Sequence, residues 1–149
     1  MSAFERHFTI RWSDVDANGH MRNTAYSELC SDTRVAMLAA LGFPWERFEA
    51  LALGPVLLRE TIVYRREAAL GEDVRVDARV AGLSPDGARW RIRHRLFKSD
   101  GLPMARITVL CAWIGFAARR LVVPPAELAL ALASLERTGA FRELPLLRR

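Results

Sequence analysis

Hydrophobic residues recur along this chain with two different periods, and the change from one to the other falls near Gly54. At the start Phe8, Ile10 and Trp12 alternate with polar positions, which predicts a short strand over roughly Glu5 to Trp12. The run Ser13-Asp14-Val15-Asp16-Ala17-Asn18-Gly19-His20 reads as a turn from its Asp, Asn and Gly content. Beyond it Tyr26, Leu29, Cys30, Thr33, Met37, Ala40 and Leu41 share one face of a helix that Asn23 or Thr24 can cap. The second half of that helix, Val35 to Leu41, is apolar all round, which predicts burial on every side. Gly42 and Pro44 stop it, and a short helix is expected from about Trp45 to Leu53.

From Gly54 onward the period is two. A strand is expected from Leu57 to Arg66, followed by a turn at Gly71-Glu72-Asp73. Val74, Val76, Ala78 and Val80 then alternate with Arg75, Asp77 and Arg79, and Ser84-Pro85-Asp86-Gly87 reverses the chain. Ala88, Trp90, Ile92, His94 and Leu96 alternate with Arg89, Arg91, Arg93 and Arg95, and Ser99-Asp100-Gly101 makes the next hairpin. The last predicted strand, Met104 to Phe116, is apolar on both faces and so is expected at the centre of a sheet or under a partner. Pro124-Pro125 opens an amphipathic helix to about Leu135, after which an Arg-rich tail is expected to fray. One strand, one buried helix and four long antiparallel strands make an α+β layout, with the sheet curved around the helix.

Composition narrows this only a little. The 149 residues fit one domain, with a core over roughly residues 5–130, and 51% hydrophobic content can fill it. No run approaches the ~18 apolar residues of a membrane span. The N-terminal residues lack a signal-peptide layout, and Cys30 and Cys111 sit in apolar segments as expected of buried thiols, so a cytoplasmic location is expected. The net charge of +5 favours an anionic partner, yet Lys98 is the single lysine among 22 basic residues, the mark of an arginine bias rather than of a built patch.

The chemistry concentrates between Asp14 and Asn23. Asp14 and Asp16 flank Val15 and point to opposite sides of an extended segment. Asp16 is the nearer to the helix N-terminus, whose first-turn N–H groups are unpaired and carry partial positive charge. A carboxylate a few residues from free N–H groups suits hydrolysis of an activated acyl group: the amides polarise the carbonyl, and the carboxylate attacks it or activates water. Gly19 permits a positive φ and close backbone approach. The alternative is that both carboxylates merely satisfy turn and cap amides.

The run from Arg11 to Tyr26 resembles the signature of the hot-dog-fold acyl-CoA thioesterases of the 4-hydroxybenzoyl-CoA thioesterase type, in the branch with an Asp-x-Asp-x-x-x-His-x-x-Asn pattern. The block from Ile62 to Asp73 resembles the strand and turn that follow the helices in those enzymes, and the order of elements agrees over roughly residues 5–130. The resemblance implies a five-stranded antiparallel sheet wrapped around a long buried helix, with a C-terminal helix. It also implies hydrolysis of an acyl- or aryl-CoA to free acid and coenzyme A, with no further cofactor. Subunits would pair edge to edge as a homodimer or homotetramer, with sites at the interface. The catalytic carboxylate falls on Asp16, the oxyanion amide at or next to Asn23, and Gly19 and His20 in the turn between. Tyr26 and Leu29 would line the acyl pocket, and Arg65 and Arg66 would compete with the outer arginines for coenzyme A phosphates. Arg22, Ser31 and Glu67 depart from the pattern, two of them in positions that bear on the acyl preference.

His20 has two readings, as a general base or as a residue that fixes the turn by side-chain-to-backbone hydrogen bonding. His94 is expected to point inward as a core or interface residue. The histidines and cysteines show no metal-ligand spacing. Arg89, Arg91, Arg93 and Arg95, with Arg75, Asp77 and Arg79, read as a solvated or tetramer-contact face, a poor platform for nucleic acid without interleaved aromatics. A hydratase of the same fold would need an Asp-x-x-x-x-His dyad, and neither Asp14 nor Asp16 stands at that distance from His20. An acyl-carrier-protein thioesterase and a non-catalytic acyl-CoA-binding module remain the alternatives.

Overall fold

The computed structural model describes residues 3–147. The first strand, β1, spans Phe4–Thr9 and stops short of Trp12, which is exposed at the start of a single 3-10 turn, Trp12–Asp14. The strand was expected to run on, but the Asp14 carboxylate accepts the Arg11 backbone N–H at 2.9 Å and turns the chain before the ladder can continue.

Helix α1, Asn23–Ala40, buries Ala25, Tyr26, Leu29, Cys30, Thr33, Met37 and Leu38. Its N-cap is Arg22 rather than Asn23 or Thr24, and no side chain caps it. The expectation of burial on every side also fails: Val35, Ala39 and Ala40 are exposed and Leu41 is only half-buried. In the single chain the sheet covers one flank of α1, so an apolar back remains open. Gly42, at φ 93°, ends the helix, and α2 follows at Trp45–Leu51.

The strands β2 (Leu53–Tyr64), β3 (Asp73–Leu83), β4 (Arg89–Lys98) and β5 (Pro103–Gly115) join β1 in the order β1-β3-β4-β5-β2, every pairing antiparallel. β2 begins four residues before the expected start at Leu57. β5 lies inside the sheet as expected of a strand apolar on both faces, and β2 is the open edge beside it. Helix α1 packs against β3, β1 and β5, so Met37 and Cys30 meet the inward side chains Val76, Ile92, Ile107 and Val109 in one core. Met37 is completely buried there, and truncation to Ala would cost about 2–5 kcal/mol. Both cysteines are buried free thiols, and burial pushes the Cys111 thiol up to about 11.

Two further strands were not expected. β6, Arg120–Val122, pairs with β5, and β7, Arg137–Glu143, runs parallel to β3 after helix α3, Ala126–Ala133. The tail expected to fray is instead paired as far as Leu144, with Arg148 and Arg149 outside the described residues, because β1 reaches only from Asp73 to Ala78 on β3. The rest of that edge needs partners, and the Val80 N–H donates to Glu136 O while the Leu144 N–H donates to Leu83 O. At Gly82 a Cβ would stand 3.0 Å from Arg142 O, so a side chain there would push β7 outward by a few tenths of an ångström.

Candidate active site

The segment between β1 and α1 is built as a closed loop. Val15 and Met21 bridge across it, the Asp16 N–H donates to His20 O at 2.9 Å, and the Gly19 N–H donates to Asp16 O at 3.0 Å. Gly19 adopts φ 76°, the left-handed conformation the turn requires. The far side is pinned to the strand-linking segment before β3, where the Met21 N–H donates to Ala68 O at 2.7 Å and His20 bridges to Ala69. Two distant stretches of sequence thus set the loop against the end of β2.

The two carboxylates are treated differently. Asp14 is 3% exposed and accepts from the Arg11 backbone N–H and from Arg11 Nε at 3.2 Å; the Arg22 N–H donates to its carbonyl. The Arg11 hydrogen bond holds the Asp14 carboxyl below its ordinary range, against the opposing effect of burial. Asp16 is exposed and lines a cavity of about 380 Å³. Its Oδ1 accepts the Asn18 N–H at 2.9 Å and the His20 N–H at 3.4 Å. The turn-satisfying role therefore uses one oxygen, and Oδ2 is left to the cavity.

Asn18, His20, Met21, Asn23, Tyr26, Tyr64, Arg65, Arg66 and Glu67 complete the cavity wall. Asn23 and Thr24 open α1, and among the described residues their N–H groups have no backbone acceptor, whereas the Ala25 N–H folds back onto Arg22 O at 3.0 Å. The positive end of an 18-residue helix thus faces the same space as Asp16. Tyr26 and Tyr64 meet edge to face at 5.0 Å, and the Tyr26 hydroxyl donates to Arg66 O at 3.2 Å. Burial raises the Tyr26 hydroxyl above its ordinary value, which keeps it a neutral donor. Arg66 Nη1 donates to Pro103 O at 2.8 Å, which fixes one arginine at the rim.

Of the expected site residues, Asp16, His20, Asn23, Tyr26, Arg65 and Arg66 converge on this cavity. Gly19 forms the turn behind it, and Leu29 is buried in the core rather than on its wall. His20 does not use its ring on the backbone: Nδ1 stands 3.1 Å from Glu67 Oε2. Glu67 and Tyr64 were missed as site residues. The departure from the family pattern at Glu67 was the only signal, and nothing in the spacing joins it to His20.

A sheet curled around one long helix, with a carboxylate-bearing loop at that helix's N-terminus, defines a hot-dog fold. The chain belongs to the Thioesterase-like superfamily, whose pattern matches residues 10–132. Among solved structures it is similar to a Staphylococcus aureus protein determined in complex with CoA (22% identity, TM-score 0.83, covering 99% of this chain and 89% of that one). It is also similar to a 1,4-dihydroxy-2-naphthoyl-CoA thioesterase from Synechocystis (14% identity, TM-score 0.79, 90% and 98% covered). A DHNA-CoA thioesterase from Staphylococcus aureus is a third such structure (16% identity, TM-score 0.76, 83% and 81% covered). At these identities the likeness establishes the fold. No curated protein matches the sequence significantly.

Proposed function

We propose that this protein is an acyl-CoA thioesterase of the 4-hydroxybenzoyl-CoA thioesterase type, hydrolysing an acyl- or aryl-CoA to free acid and coenzyme A. The observation that carries the reading is that Asp16 and Asn23 line one cavity, and that the amides of Asn23 and the adjacent Thr24 have no backbone acceptor among the described residues. The amides receive the carbonyl oxygen as it gains negative charge, where fixed dipoles act without reorganising. Asp16 either attacks the carbonyl carbon, forming a mixed anhydride that water then opens, or takes a proton from the water that attacks. In both routes the carbon–sulfur bond breaks, coenzyme A leaves as the thiolate, and the thiolate is protonated from solvent. His20, held by Glu67, sits at the rim, where it orients water or substrate. Arg65 and Arg66 offer guanidinium forks to phosphate oxygens at the mouth, which favours coenzyme A as the carrier. The solved structures named for CoA thioesterases, and the one holding CoA, support the same substrate class.

The working unit is a homo-oligomer built on β2. That strand is the open edge of the sheet and exposes Leu57, Leu58, Val63 and Tyr64, while Val35 is exposed on α1. An uncovered apolar edge of this length calls for a second copy. A thiol-release assay across acyl and aryl thioesters, on coenzyme A and on acyl carrier protein, tests the activity; absence of release from every substrate would leave a binding module instead.

A further inference from the structure

On the outer face of the sheet, opposite α1, a second cavity of about 360 Å³ lies between β3, β4 and the start of β7. Arg79, Arg93, Arg95, Glu136, Arg137 and Thr138 line it. Its arginines alternate along β3 and β4 with the core residues Val80, Ile92 and His94, so the sheet separates them from the Asp16 cavity. The family pattern ends at residue 132, so the wall contributed by Glu136, Arg137 and Thr138 lies outside the stretch that it matches.

The charges do not balance within it. Asp77, 1% exposed at the base of the face, pairs with Arg79 Nη1 at 3.0 Å and Arg95 Nη2 at 2.6 Å. Glu136 Oε2 lies 3.4 Å from Arg79 Nε. Two carboxylates thus answer Arg79 and Arg95. Arg93 and Arg137 pair with no carboxylate among the described residues; Arg137 instead lies over the Phe141 ring at 4.1 Å. Arg93 Nε, Thr138 Oγ1 and the acceptor Glu136 Oε2 are buried without a hydrogen-bond partner, a costly arrangement for three polar atoms beside an open volume. Arg93, with its buried and unused Nε, and the exposed Arg137 leave two positive charges uncompensated, which match a doubly charged tetrahedral anion, because a guanidinium fork spans two phosphate oxygens.

We propose that this cavity is a binding site for a dianionic phosphate group, held by Arg93 and Arg137 and separate from the thioester site. The phosphate arrives either as free inorganic phosphate or as the phosphate of a nucleotide, and the two are separated by titrating each probe.

Isothermal titration of the full chain with inorganic phosphate and with adenosine monophosphate, at matched ionic strength, is the test. Wild type is expected to bind at least one probe, and the tighter of the two names the source. Arg93→Gln should weaken binding about 10- to 100-fold, the loss of one charge-assisted contact. Arg137→Gln, on the surface and free of any folding risk from the buried face, should do the same, while Asp16→Asn keeps the wild-type affinity. The proposal is overturned if wild type binds neither probe, or if both arginine variants bind like wild type. Loss of binding in Arg66→Gln alone, or dissociation of subunits in Arg93→Gln with phosphate affinity intact, overturns it as well.

Discussion

His20 Nδ1 stands 3.1 Å from Glu67 Oε2, joining the loop before α1 to the segment after β2 across the rim of the Asp16 cavity. Both side chains are substantially exposed, so the pair is worth at most about 1 kcal/mol. Glu67→Gln is therefore expected to reduce kcat/KM by no more than about fivefold, with the fold intact. A loss of orders of magnitude, measured by thiol release, would move Glu67 from a positioning role into the chemistry.

Asp16→Asn keeps the Oδ1 acceptor for the Asn18 amide and removes the charge that faces the cavity. Turnover should fall about 10²- to 10⁴-fold while circular dichroism and oligomer mass stay those of wild type. Unchanged hydrolysis over a broad acyl-CoA panel would sink the assignment.

Asp14, two residues away, should behave in the opposite way. Asp14→Ala strands the Arg11 amide and is expected to cost about 1–3 kcal/mol in urea unfolding. Arg11→Ala should cost less, because the Arg11 side chain is largely exposed. The Asp14 carboxyl sits below its ordinary value of 3.8, so its stabilisation is present above that value and is lost as pH falls below it. Equal stability of Asp14→Ala and wild type at neutral pH would refute this role.

His94 is completely buried, with Nδ1 donating to Asp77 O at 2.9 Å and Nε2 accepting from Arg34 Nη1 at 3.0 Å. Burial, assisted by the Arg34 charge, pushes the imidazole from 6.5 down to about 3. The folded protein therefore binds this proton less readily than the unfolded chain. The stabilisation is complete above the unfolded value and is lost as pH falls toward the folded one, by about 1.4 kcal/mol per pH unit. Chemical denaturation between pH values of roughly 7 and 4 should show that slope in wild type and a shallower one in His94→Gln. Identical slopes would contradict it.

The open β2 edge gives the last prediction. Lysines at Leu58 and Val63 place charge on the surface that a second copy would cover. Leu58→Lys/Val63→Lys should shift the mass in solution, measured by light scattering, from an oligomer to the single chain. A wild-type protein already at single-chain mass would dispose of the oligomer.

The elements that could be read from the sequence were those whose signal is local. The alternation of Val74 to Val80 and of Trp90 to Leu96 placed β3 and β4, because a pleated strand buries every second side chain wherever it lies. The helix from Asn23 and the turn at Gly19 were legible for the same reason. The exposed back of α1, the early stop of β1 at Thr9 and the strand β7 were not. Each depends on what a distant segment leaves covered or unpaired.

The sequence by itself determined the strand–helix–sheet order and the loop that carries Asp16, since periodicity and turn chemistry act between neighbours. Only the tertiary structure decided that Glu67 meets His20, that Leu29 belongs to the core, and that Asp77 is buried beneath Arg79 and Arg95. Those relationships join residues between 2 and 47 positions apart through folded space. Their energies come from desolvation and pairing, which no local pattern encodes.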